Sequence, residues 1–190
     1  MVNRAEVKPI TAEDITAMEA QGIVREVVDG KWVIDEAEVT GKRHGKIEAM
    51  LIHLLMTFIL PRKLGHVYPG DTTFVLKGTP EKLELIRLPD VAFVAAGRED
   101  DADPDAPHYL APDIAIEIIS PSERYSDIRA KLEDYLQNGV QQVWQVIPER
   151  EEVLVNFPDG RVLTYSGDDK IPGGEILPGF ELTVSDIFPD

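Results

Sequence analysis

The chain contains no cysteine. Disulfides, thiolate metal sites and cysteine nucleophiles are thereby excluded, and a reducing compartment is compatible with the composition. Basic side chains are scarce: 19 lysines and arginines face 35 aspartates and glutamates, for a net charge of −16. Proteins that grip duplex nucleic acid usually carry a basic footprint, so the bulk charge alone argues for solubility and against a nucleic-acid partner. None of the 4 histidines has a His-x-x-x-His neighbour, which argues against zinc hydrolysis. No serine sits in a Gly-x-Ser-x-Gly elbow, and no glycine-rich loop precedes a helix to cradle phosphate. Nothing resembles the aromatic cleft of a glycosidase. Long hydrophobic runs are missing too. The longest, Ala49 to Leu60, contains His53 and Thr57 and is shorter than the about 20 residues that span a bilayer. The start, Met1 to Glu6, lacks the apolar core of a secretory signal. A cytoplasmic protein with no membrane association is expected.

What remains is 190 residues with 43% hydrophobic content, enough for one domain over 1–190 with its own core. Thr11 can cap a short helix that closes near Gly22. Ile23 to Val28 and Lys31 to Ile34 read as strands joined by the hairpin turn Asp29-Gly30. With that helix they form an N-terminal extension over about 1–40, and Asp35 to Gly41 reads as acidic and irregular. Ile47, Met50, Leu51, Leu54, Leu55 and Phe58 recur at helical spacing, so Arg43 to Leu60 is an amphipathic helix that Pro61 stops. Strand-like runs follow at Val67 to Leu76, Leu83 to Leu88, Val91 to Val94 and Ile114 to Ile119, the last two separated by the acidic loop Glu99 to Asp105. The last run is nearly all apolar, as in a strand covered on both faces. A second helix spans about Asp127 to Asn138. Ser126 caps it, Ile128, Leu132, Tyr135 and Leu136 face inward, and Gly139 ends it. Val140 to Ile147, Val153 to Phe157 and Arg161 to Tyr165 read as strands, with a turn at Pro158-Asp159-Gly160. The Gly- and Pro-rich C-terminal stretch is expected to pack irregularly. This order predicts a mixed α/β fold: a central mixed sheet flanked by helices.

Glu117 is the most informative residue. It sits among Ile114, Ile116, Ile118 and Ile119, where an unpaired charge is strongly disfavoured. Such an acid needs a partner or a task. Asp90 follows Pro89 where another strand begins. Two carboxylates on neighbouring strands, with a strand carbonyl, can hold a hard divalent cation such as Mg²⁺. Lys131 lies on the following helix.

In order and spacing these motifs resemble the PD-(D/E)xK nuclease superfamily. More narrowly, they resemble the Uma-two family of candidate restriction endonucleases. The resemblance is carried by Arg43-His44-Gly45 opening a helix, Gly70-Asp71 opening a strand, Arg87 to Val94, Pro112 to Ser122, Lys131 with Tyr135, Gly139-Val140, Val143-Trp144 and Leu177 to Phe180. It covers roughly Ile23 to Phe188 and implies a restriction-endonuclease-like core. It also implies that Asp90 and Glu117 bind Mg²⁺ or Mn²⁺, with the Ile118 carbonyl as a further ligand. A lysine would position or deprotonate the attacking water. The superfamily lysine two residues after the glutamate is Ile119 here, and Lys131 is the nearest substitute. The implied reaction is hydrolysis of DNA phosphodiesters, and a homodimer would suit cutting of two strands.

Each residue also has a plainer reading. Asp90 could cap a turn, and Glu117 could pair with Arg87, Arg124 or Lys131. Lys131 could pair with Asp127 on the helix surface. Asp71, Glu48 and His44 are possible additional site members. Otherwise Asp71 caps its strand, Glu48 lies on a solvated helix face and His44 finishes the helix start. Ser120 and Ser122 shape a turn, Asp113 ends a loop and Trp144 belongs to the core. Lys42, Arg43, His44 and Lys46 form the best local basic patch. Two other functions fit the same residues: a non-catalytic nuclease-fold module for protein binding or regulation, and a metal-dependent hydrolase of small phosphate esters.

Overall fold

A computed structural model describes residues 8–23, 25–33, 41–99, 103 and 106–188. Helix α1 (Ala12–Glu19) starts at a reciprocal cap. Asp14 N–H donates to Thr11 Oγ1, and Thr11 N–H donates to the Asp14 carboxylate at 2.9 Å. Strands β1 (Val27–Val28) and β2 (Lys31–Trp32) flank Asp29-Gly30, whose φ values of 51° and 68° match a two-residue turn that follows strand twist. Both strands are shorter than the sequence reading. Val24, Ile34 and the acidic stretch 35–40 lie outside the described residues, as do 100–102, 104 and 105 of the acidic loop.

Helix α2 (Lys42–Arg62) buries Ile47, Leu51, Leu55 and Ile59 along one stripe. Pro61 does not stop it. The helix runs to Arg62 and closes at left-handed Lys63 (φ 54°), because a proline this near the end forfeits only a bond of the last turn. The expected single strand 67–76 is two strands in different sheets: β3 (Gly65–Pro69) and β4 (Phe74–Thr79). The chain breaks direction at Gly70, where an added Cβ would lie 3.3 Å from the Asp90 Cα. Gly70-Asp71 therefore follows one strand rather than opening the next.

Strands β5 (Lys82–Arg87), β6 (Val91–Ala95) and β7 (Ile114–Ile118) come next, then helix α3 (Tyr125–Gln137). Ser126 does not cap α3. The helix starts after Arg124 without a side-chain cap, and the Ser126 hydroxyl bonds Asp127 instead. Gly139, at φ 104°, follows its end. Strands β8 (Gln142–Ile147), β9 (Glu152–Asn156), β10 (Val162–Ser166), β11 (Lys170–Pro172) and β12 (Glu181–Thr183) complete the chain.

Six strands form the central sheet in the order β10-β9-β8-β7-β6-β3. Its pairings are antiparallel except β7 with β8, so the sheet is mixed. The β1–β2 hairpin is not an appendage: β1 pairs with β5, making a second sheet in the order β2-β1-β5-β4. The C-terminal stretch also corrects the sequence reading. β11 and β12 pair, a 3-10 turn follows at Val184–Ile187, and Ile171, Leu177, Phe180, Leu182, Val184 and Ile187 are buried in the main core. Segments this short show no periodicity to read. Among the described residues, no helix is long and apolar enough to cross a membrane.

The alternation of β7 positions the site. Ile114, Ile116 and Ile118 enter the main core beside α2 residues, Val91, Phe93 and Trp144. Ala115 points the other way, into a cluster with Tyr135, Val140 and Val143. By the two-residue period Glu117 shares that second face, under α3.

Candidate active site

β6 and β7 pair with Val91 opposite Ile116 and Ala92 opposite Ala115. Extending this register by one residue sets Asp90 opposite Glu117. Directly opposed residues have Cβ atoms about 5 Å apart, so the two acids meet at one end of the sheet. Asp90 is held by the neighbouring strand: its Oδ2 accepts from the Ile118 N–H at 2.7 Å, and its Oδ1 lies 3.2 Å from His44 Nε2. Glu117 is 6% exposed. The Tyr135 hydroxyl donates to its Oε1 at 2.6 Å, and Lys131 Nζ donates to its Oε2 at 3.3 Å. Lys131 and Tyr135 lie one turn apart on α3 and so meet the same carboxylate. Glu123 Oε1 lies 4.0 Å from the ammonium, and Glu123 Oε2 also accepts from Ser120 N–H at 2.7 Å.

Burial pushes the Glu117 carboxyl up to about 7; the Lys131 ammonium opposes this and the Asp90 charge adds to it. For Lys131, burial works against the charge, but the Glu117 and Glu26 carboxylates outweigh it and raise the amine above its ordinary value. Burial, then the Glu117 charge, raises the Tyr135 phenol. The hydrogen bond to Asp90 raises His44, against its partial burial.

The raised Glu117 value has a consequence for stability. From the ordinary 4.5 up to about 7, the folded protein keeps a proton that the unfolded chain has lost. Stability therefore falls as pH rises through this window, by roughly 3 kcal/mol in all. Glu117→Gln removes the effect. Urea unfolding of both proteins across that range should show the wild type losing stability relative to the variant. Parallel curves would mean that water or a counter-charge already solvates the carboxylate.

A cavity of about 430 Å³ opens here, with Arg43, His44, Asp90, Glu117, Glu123 and Lys131 in its wall. The structure thus brings Asp90, Glu117 and Lys131 together, with Ile118 in the wall and His44 joined through Asp90. Glu48 accepts from Gly70 N–H at 3.4 Å and acts on His44 through its charge, without lining the cavity. Asp71 is exposed in the turn after β3 and is not in the wall. Lys131 bonds Glu117 rather than Asp127, and Arg87 is engaged by Glu26 and Asp134 at 2.5 Å each. Ser120 and Ser122 share a hydroxyl contact of 2.7 Å in the turn. Asp113 is buried against Arg98, Gln141 and Ala95 N–H, and Trp144 is buried in the core.

The sequence reading places Tyr135 in the inner stripe of its helix and beside Lys131 among the family motifs, but gives its hydroxyl no role. Its signal was available: a buried tyrosine needs a partner for its hydroxyl, and this one lies a turn from Lys131.

The donor chemistry fits a hard divalent cation. Two carboxylates and the strand backbone at Ile118 supply oxygens of the type that Mg²⁺ and Mn²⁺ take. Among the described residues, no three His, Cys, Asp or Glu side chains gather as a ready-made cage.

The fold is similar to that of a "putative nuclease belonging to DUF820" from Anabaena variabilis. The TM-score is 0.77 over 95% of this chain and 98% of that one, at 18% identity. At that identity the likeness speaks for the fold. No protein of curated function matches the sequence. Residues 12–185, from α1 into the final 3-10 turn, match the model of the Uma2 family, described as "Putative restriction endonuclease", and the chain belongs to that family.

Proposed function

We propose that the protein is a Mg²⁺- or Mn²⁺-dependent endonuclease that hydrolyses DNA phosphodiesters. One observation carries this reading: two acids on adjacent strands face one cavity with an ammonium bonded to the more buried of them. Asp90, Glu117 and the Ile118 carbonyl would hold the cation. When bound, it would polarise the phosphate and ease ionisation of the attacking water.

The chain's own groups divide the remaining work. In this structure Lys131 meets Glu117 as an ammonium, suited to orient water or a phosphate oxygen and to offset developing negative charge. Tyr135 fixes the Glu117 carboxylate from the buried side. His44 and the Ile118 N–H fix Asp90, so both act as positioning groups.

The test is relaxation of supercoiled plasmid with Mg²⁺ or Mn²⁺. Wild type should nick, and Lys131→Ala should be slower by about a hundredfold or more while staying folded by circular dichroism. Unchanged nicking by that variant removes Lys131 from the mechanism. Absence of nicking by wild type with either metal overturns the reading.

A second reading has its own support. The net charge of −16 and Ile119 in the superfamily lysine's place both favour a nuclease-fold module that binds partners without cutting. Calorimetric titration with Mn²⁺ separates the two, since only the nuclease reading requires binding that depends on Asp90 and Glu117.

A further inference from the structure

Among the described residues, the cavity wall carries four carboxylates (Asp90, Glu117, Glu123 and Glu149) and three basic side chains (Arg43, His44 and Lys131). Two of the basic groups are committed inside the site. Lys131 bonds Glu117, and His44 bonds Asp90. Arg43 is placed differently. It stands in the first turn of α2, and its guanidinium reaches across to the loop after β8. There it bonds the Pro148 carbonyl oxygen, and Glu149 Oε1 at 3.2 Å. The side chains of Arg43 and Glu149 are 52% and 62% exposed. Exposed pairs of this kind contribute about 0–1 kcal/mol, so a competing anion displaces one partner at little cost.

We propose that Arg43 binds a backbone phosphate of the substrate strand, and that Glu149 holds its guanidinium until that phosphate arrives. The inference rests on the nuclease reading and deepens it. A planar fork of N–H donors suits two phosphate oxygens, and arginine presents it in fixed geometry. The guanidinium sits in the same cavity wall as Asp90 and Glu117, so the phosphate it takes lies beside the reacting one. Lys42 and Lys46, the other cations at the start of α2, are not in the wall. Once released, Glu149 is left in water, which solvates it. The exchange therefore adds one favourable contact in a site otherwise rich in negative charge.

The experiment is fluorescence anisotropy of a short dye-labelled DNA duplex with Ca²⁺ replacing Mg²⁺, over a series of salt concentrations. Plasmid nicking and Mn²⁺ calorimetry are run on the same preparations. Arg43→Ala should bind about tenfold more weakly, with a salt slope lower by about one, and should keep wild-type Mn²⁺ affinity. Arg43→Lys should keep most of the slope and only part of the affinity. Glu149→Gln should bind about threefold more tightly, because the guanidinium no longer has to leave a carboxylate. If Arg43 only pins the loop at Pro148, Glu149→Gln weakens binding as Arg43→Ala does, and the inference is overturned. It is also overturned if wild type nicks plasmid while Arg43→Ala binds with unchanged affinity and slope, and the nuclease reading then stands. Wild type that neither binds the duplex nor nicks defeats the nuclease reading, and the inference with it.

Discussion

Glu117→Gln is expected to cut plasmid DNA about a thousandfold more slowly than wild type, yet to be at least as stable above neutral pH. The first half follows from charge. An interaction of several kcal/mol with the reacting centre is worth about three decades in rate, and an amide supplies neither the charge nor the full affinity for a divalent cation. The second half follows from burial. The carboxylate is almost fully enclosed, and burial disfavours its ionised form. Glutamine fills the same space, and its carbonyl oxygen can still accept from Tyr135. Lys131 loses its partner, but its side chain is 25% exposed and can turn toward water and Glu123. Loss of activity with retained or improved stability is the signature of a group kept for chemistry at the expense of folding. Plasmid relaxation beside urea unfolding measures both. A variant that is slow because it has unfolded would contradict the assignment.

Arg87→Ala should be the most destabilising of the substitutions considered, by about 3–5 kcal/mol, through a different mechanism. The Arg87 side chain is 6% exposed and joins Glu26 to Asp134 on α3, each at 2.5 Å. Removing it strands two carboxylates beside each other, and Glu26 already acts on Glu117, Lys131 and Tyr135. Arg87→Lys should recover only part of the loss, because an ammonium cannot reproduce the two-sided fork. Replacing Arg87, Glu26 and Asp134 together by apolar residues of similar size should be far milder than the single change. Urea denaturation midpoints read all three. A loss below about 1 kcal/mol for Arg87→Ala would mean that the triad is hydrated like a surface pair.

The parts of this protein that were legible in the sequence are those governed by local rules. α2 and α3 showed through the spacing of their apolar residues, and Asp29-Gly30 announced its turn. Glu117 stood out because a carboxylate among isoleucines is a physical anomaly. Asp90 and Lys131 were found through the order of motifs around it. Relations across the chain were not legible. Nothing local says that β3 and β4 part company at Gly70 and enter different sheets, or that β1 pairs with β5. The C-terminal residues Leu177, Phe180 and Ile187 sit in segments too short for a period to form, so their burial was invisible. Tyr135 was legible as an inward residue and as a companion of Lys131, but helical spacing does not say what its hydroxyl meets.

The pairing of β6 with β7 makes the centre behave like a message with a reading frame. The two acids meet because their strands are in phase, and the length of chain between them is immaterial. Residues added in this connection clear of the His108 bridge to Phe74 only enlarge a loop, which costs about 0.6 kcal/mol for each doubling of its length. A single residue removed from Val91–Val94 shifts the phase by one and turns Asp90 to the opposite side of the sheet, among the isoleucines. Drift in this protein is therefore free to lengthen and forbidden to slip.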